Sequence, residues 1–265
     1  MPTKYLYRGD LALHYEHTGS TTLPGVAPSL DQGECVVFVH GGGGNGRLWA
    51  RQLAQLSEKH SPLAFDLPAH GRSGGLDAAG SVRAAAEILA DALTALNAPP
   101  AVLVGHGLGG QIGLQLALDH RARVKALVTL ATSAGPAAGG EEKDILRDVV
   151  RGRRPQSFDT PWFSSEPDMG IIREVWGEIV KTDPRVRLQD LEMYESSDLR
   201  PRLSELEVPT LVLHGAEDRY CLPKHAEEMA AQIQNARVEM IDKAGHFPQL
   251  EQADRVHELV GEFLR

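Results

Sequence analysis

Hydrophobic runs along this chain alternate between two kinds, and the alternation predicts the fold. C-V-V-F-V-H (Cys35–His40) is continuously apolar and β-branched, like a strand buried on both faces. An amphipathic stretch, Leu48–Lys59, follows it, and then a second apolar strand, Pro62–Asp66. The pattern recurs with helix Ser81–Leu96 before strand Ala101–Val104, and helix Gln111–His120 before strand Ala126–Leu130. Strand Thr210–His214 precedes helix Lys224–Ile233, and strand Arg237–Ile241 precedes helix Ala253–Leu264. Two short strands, Lys4–Arg8 and Leu11–His17, lie ahead of the series, set off by a loop rich in Gly, Pro and Ser. Strands apolar on both faces and alternating with helices specify an α/β fold with a mostly parallel central sheet and helices on both faces.

The rhythm breaks once. Between residues 135 and 206 there is no good buried strand, while Arg, Pro, Trp and acidic residues are frequent. Such an insertion predicts a short, mainly helical cap placed before the last two strands, with residues 1–134 and 207–265 forming the core. At 265 residues, 42% hydrophobic and 24% charged, the chain is long enough for a large core in one domain. A net charge of -9 argues against a nucleic-acid or anionic-membrane surface. The N-terminus lacks an apolar core of signal-peptide length, and no segment approaches the ~18 uninterrupted apolar residues of a membrane span. Two cysteines do not make a disulfide framework, which fits a reducing compartment. Cys35 reads as core, whereas Cys221, beyond a strand end, is open to a reactive role. The expectation is a cytoplasmic monomer or homodimer whose partner is a small molecule.

Two glycine-rich turns carry the candidate chemistry. The first, G-G-G-G-N-G (Gly41–Gly46), follows a buried strand and precedes a helix, and the next strand ends in Asp66. That spacing matches a dinucleotide fingerprint, in which glycines admit a pyrophosphate and the acid holds a ribose. Bulky Trp49 near the helix start and the continuation D-L-P-A-H-G-R-S (Asp66–Ser73) speak against it. The second turn, G-H-G-L-G-G (Gly105–Gly110), has no acid after the next strand, and its other reading is a nucleophile elbow, G-x-S-x-G, with the central residue changed. That central residue is Gly107.

With these turns, D-L-P-A-H-G-R-S, L-H-G-A-E-D (Leu213–Asp218) and A-G-H-F-P-Q-L-E (Ala244–Glu251), the chain resembles the α/β-hydrolase superfamily, particularly small bacterial esterases, lactonases and C–C hydrolases. The match runs over nearly the whole length. Triad order in that fold is nucleophile, acid, histidine. The resemblance implies Gly107 at the nucleophile position, Asp218 orienting His246, and His246 as general base; neighbouring Glu217 is the rival acid. It also implies an oxyanion hole from the backbone N–H groups of Gly42 and Leu108. His40 is expected to brace the glycine turn, and the scattered histidines suggest no metal site. No cofactor is implied.

Gly107 admits two readings. The maintained acid, histidine and flanking glycines favour a hydrolase from which the nucleophile has been deliberately removed. A natural glycine would instead fit a lyase or cyclase, water activated by His246, or a small-molecule binding protein. Ser133 is a conceivable substitute nucleophile. Gly41, Trp49, His106, Trp162, Phe163, Trp176, Tyr194 and Phe247 are the candidate substrate contacts, with Phe158, Met169 and Met193 as further apolar groups of the insertion. They point to a moderately hydrophobic ester or lactone, with a C–C bond hydrolase as the alternative.

Overall fold

A computed structural model describes every residue except 1–2, 21, 24, 137–139 and 157–160, with only the backbone at 140 and 141. Strands β1 (Thr3–Arg8) and β2 (Leu11–His17) form an antiparallel hairpin, and β2 joins the sheet antiparallel to β4. The remaining elements alternate: β3 (Cys35–Val39), α1 (Ala50–Leu56), β4 (Ser61–Phe65), α2 (Val82–Ala95), β5 (Ala101–His106), α3 (Leu108–Asp119) and β6 (Val124–Leu130). Helices α4 (Gly140–Val150), α5 (Met169–Ile179) and α6 (Pro184–Ser196) come next. The chain then closes with β7 (Thr210–Gly215), α7 (Lys224–Ala230), β8 (Ala236–Ile241), α8 (Pro248–Glu251) and α9 (Ala253–Phe263). The eight strands lie in the order β1-β2-β4-β3-β5-β6-β7-β8, parallel from β4 onward. This is the α/β-hydrolase fold.

The apolar runs explain the sheet. Every residue of β3, β4, β5 and β7 is buried, because helices cover both faces. Leu89 and Leu93 of α2 with Ile112 and Leu116 of α3 pack one face, and Leu53 of α1 with Leu259 and Val260 of α9 pack the other. Trp49 belongs to this second layer. It is fully buried with its ring 4.9 Å from that of Phe38, so it is a core residue and not a substrate contact. The turn at 46–49 leads straight into α1, which lies flat on the sheet and carries the indole inward.

The strand order positions the site. Since β3 lies between β4 and β5, the connections leaving β3 and β5 part in opposite directions, opening a crevice at their carboxyl ends. Both glycine turns open onto it. Helix α3 begins at Leu108, three residues earlier than the sequence pattern suggests, because Gly109 and Gly110 are helical. Glycines that read as loop formers are here demanded by close packing.

The segment between β6 and β7 contributes α4, α5 and α6 and, among its described residues, no strand. It is fastened over the crevice through Leu48, Trp162, Phe163, Val175, Ile179, Phe247 and Leu250. Backbone contact is also close: the His246 N–H donates to the Trp162 carbonyl at 2.5 Å, and a Cβ on Gly245 would meet the backbone of Phe163 at 2.5 Å. Among the described residues, no helix is long and apolar enough to cross a membrane.

Candidate active site

Strand β5 runs into α3 with a single residue between them, Gly107, at φ 51° and ψ -113°. A turn so tight leaves no room beside it. A Cβ on Gly105 would lie 2.3 Å from the Gly109 carbonyl oxygen, and one on Gly109 would lie 2.3 Å from that of Val39. Position 107 differs. A Cβ there would meet His246 Nε2 at 3.6 Å and Gly41 Cα at 3.9 Å, both ordinary contact distances. Packing therefore demands glycine at the flanks but not at the apex, although positive φ strains any side chain placed there.

His246 sits beyond β8 and Asp218 beyond β7, so the sheet brings both to the apex. The His246 Nδ1–H donates to Asp218 Oδ2 at 2.8 Å, which leaves Nε2 facing position 107. Asp218 is almost wholly buried. Its Oδ1 accepts from the backbone N–H groups of Tyr220 (2.8 Å) and Cys221 (2.9 Å). Burial alone would raise its pKa, but His246 and His214 outweigh it and hold the carboxyl well below the usual range. Glu217 turns away and accepts from the Ser165 N–H at 2.7 Å.

Two backbone N–H groups flank the apex. Leu108 opens α3, where the helix dipole favours negative charge, and Gly42 lies in the first glycine turn. Neither donates a hydrogen bond among the described residues. The turn is held from below and above. Leu67 N–H donates to His40 Nε2 at 3.0 Å, which puts the proton on Nδ1 for donation to the Gly41 carbonyl at 2.8 Å. Burial pushes His40 down to about 4, so it stays neutral. From the cap, Asp190 Oδ2 accepts from the Gly43 N–H at 2.7 Å and from His70 Nε2 at 2.7 Å. His70 Nδ1 donates to the Pro68 carbonyl. Burial works against a charge on His70, but Asp190 raises its pKa above the ordinary value, and an imidazolium–carboxylate pair links cap to turn.

A cleft of about 570 Å³ lies between the apex and the cap. His106, Trp162, Tyr194 and Phe247 line it, as do Arg187 and Tyr220, which the sequence did not single out, and Glu142, whose short acidic run reads in the sequence as solvated surface. His106 Nε2–H donates to the His246 carbonyl at 2.8 Å, and burial with the nearby His246 pushes it down to about 3. The Tyr194 hydroxyl accepts from the Ser133 N–H at 3.0 Å, so it is the ring that faces the cleft. Gly41 stands beside the apex, where its missing side chain admits the His106 ring.

Two expected contacts lie elsewhere. Phe163 and Trp176 line a neighbouring cavity behind Trp162, with Phe163 stacked on Phe247 at 5.7 Å. They pack in the seam that fastens this segment to Leu48, Phe247 and Leu250. Phe158 lies outside the described residues. Ser133 Oγ accepts from the Gly135 N–H and does not line the cleft. Cys221 is fully buried, and burial beside Asp218 pushes its thiol up, so it is not a reactive thiol. Asp66 is buried in its own turn, where it accepts from Gly46 N–H (2.6 Å), Arg72 N–H (2.8 Å) and His14 Nδ1 (2.7 Å), so it is not presented to a ribose.

The sequence profile of the alpha/beta hydrolase family matches residues 36–259. A pimeloyl-[acyl-carrier protein] methyl ester esterase of Vibrio cholerae is 29% identical over 248 residues, covering 88% of this chain and 94% of that protein. The protein of the same description from Klebsiella pneumoniae is 30% identical, covering 83% of this chain and 90% of its own. Among solved structures, a thermophilic esterase from Thermogutta terrifontis superposes with a TM-score of 0.83 at 27% identity, covering 100% of this chain and 98% of that one.

Proposed function

This chain belongs to the alpha/beta hydrolase family, and we propose that its cleft is shaped to cleave the carboxylic ester or lactone bond of a small, moderately hydrophobic substrate. Gly107 stands where the covalent nucleophile belongs. One observation carries the reading: a Cβ at 107 would lie 3.6 Å from His246 Nε2, so a hydroxyl on that carbon comes within hydrogen-bond reach of the base. The relatives described as methyl ester esterases support ester over C–C bond cleavage.

With a serine at 107, Nε2 takes the hydroxyl proton as the oxygen attacks the carbonyl carbon. The N–H groups of Gly42 and Leu108 then receive the oxyanion. His246 passes the proton to the departing alcohol, and water repeats the sequence on the acyl group to release the acid. In the chain as it stands His246 and the two donors remain, and water activated by Nε2 is the nucleophile open to it. This is a nucleophile-deficient form of the site.

The test compares the chain with Gly107→Ser on a panel of p-nitrophenyl esters and acyl lactones. The serine form is expected to gain about 10³-fold or more in kcat/KM, because nucleophile and base act as a unit. If both forms are inert across the panel, the ester hydrolase reading is wrong.

A further inference from the structure

The cap end of the cleft is charged, which apolar acyl recognition does not require. Glu142 on α4 and Arg187 on α6 both line it, between apolar walls that include Leu146, Ile179 and Leu191. Arg187 is 7% exposed, and among the described residues its polar contacts are long: Nη2 lies 3.6 Å from Glu142 Oε1, and Nη1 donates to Gln156 Oε1 at 3.4 Å, while its Cζ lies 5.9 Å from the centre of the Trp176 ring. The Tyr220 hydroxyl and Trp162 indole N–H lie beside the Glu142 carboxyl, but its Oε2 is buried without a hydrogen-bond partner. Buried polar atoms are nearly always paired, so a fork of donors next to an unpaired acceptor inside a substrate cleft asks for a ligand.

We infer that the Glu142–Arg187 pair recognises a primary carboxamide, or a ring amide, at the far end of the substrate's acyl portion. Such a group presents an N–H and a C=O on the same side, the N–H donating to Glu142 Oε2 and the oxygen accepting from Arg187. Open-chain secondary amides point the two in opposite directions and cannot meet the pair edge-on. Charge favours a neutral ligand. A carboxylate would be drawn to Arg187 but would face Glu142 and Asp190, and an ammonium would face Arg187. Burial also raises the pKa of Glu142, a cost that a donated N–H relieves.

The inference rests on reading this cleft as the substrate site, and the test separates the two. Because the chain lacks a nucleophile, binding can be measured on it directly by isothermal titration. The probes are the half-amide of dimethyl adipate, its isosteric methyl ketone, its isosteric isopropyl analogue and the half-acid. The half-amide is expected to bind about tenfold or more tighter than the other three, since a site built around paired polar groups rejects an analogue that leaves them unpaired. Glu142→Leu should abolish that preference while the isopropyl analogue still binds, which reports a folded cleft. Equal binding of half-amide and ketone by the unaltered chain overturns the proposal, as does tightest binding of the half-acid or binding of none. An active Gly107→Ser form without the preference sinks only this inference; the preference with an inert serine form sinks only the esterase reading.

Discussion

Asp218 is held on both oxygens: two backbone N–H groups donate to Oδ1 and His246 donates to Oδ2, with His214 Nε2 3.3 Å from the same oxygen but donating to the Cys221 carbonyl. The hydrogen bond from His246 holds that ring with Nδ1 protonated and Nε2 toward the apex, the orienting role the proposed function gives Asp218. Asp218→Asn keeps the shape but replaces the acceptor facing Nδ1 with an amide that can donate to it, so the favoured tautomer puts the proton on Nε2. In the Gly107→Ser background this should lower kcat by about 10⁴-fold with little change in KM, because orientation and charge are lost but substrate contacts are not. Esterase kinetics of the double variant check it. Retention of kcat within a few-fold would mean that Asp218 only closes its own loop.

At the scale of elements, α6 does more than cover the cleft. Asp190 joins it to the turn that carries Gly42, since one carboxylate oxygen takes both the Gly43 N–H and the His70 proton. Asp190→Ala leaves the buried His70 without its counter-charge and the Gly43 N–H without its acceptor, a loss of about 3–5 kcal/mol in folding stability. It should also lower the His70 pKa, because only the Pro68 carbonyl and the more distant Asp66 charge then oppose burial. Chemical denaturation measures the first and imidazole NMR titration the second; an unmoved His70 would refute the link. The sequence showed the ends of this contact only in part. D-L-P-A-H-G-R-S displayed His70 in a motif, but Asp190, like Glu142 and Arg187, lies on a helix whose inward face is partly polar. Hydrophobic periodicity cannot flag an inward polar residue, so the cap's contribution stayed hidden. The elbow was legible for the opposite reason. Its glycines are forced by backbone contacts at 2.3 Å, and forced residues leave a pattern.

Across the whole molecule, the parallel sheet was readable because β3, β5 and β7 are buried on both faces, and a run without polar interruption is what that burial requires. Trp49 misled because bulk near a glycine turn is equally consistent with core and pocket. The same burial that made the strands legible also encloses ionisable groups, and this fixes how stability responds to pH. His40 and His106 are held neutral, with pKa values pushed down to about 4 and about 3, and His17 and His60 are lowered as well. The unfolded chain takes up these protons near pH 6.5 and the folded one does not, so the unfolded state binds more protons below that point. Stability must therefore fall as pH drops from about 6.5 toward 4. His40 and His106 alone give a slope of about 2.5 kcal/mol per pH unit near pH 5, at about 1.36 kcal/mol per proton. Asp218 and Asp66, whose folded pKa values are lowered, keep their stabilising effect until pH falls below about 4, so these two do not set this window, while Glu142, raised by burial, acts against the histidines as pH falls. His70 has the opposite sign: its raised pKa stabilises below 6.5 and loses that effect as pH rises through the folded value. Urea denaturation from pH 4.5 to 7 should show the steep histidine slope. A flat profile there would mean that His40 and His106 are protonated in the folded protein, contradicting the hydrogen bonds at His40, whose Nε2 accepts from the Leu67 N–H while Nδ1 donates.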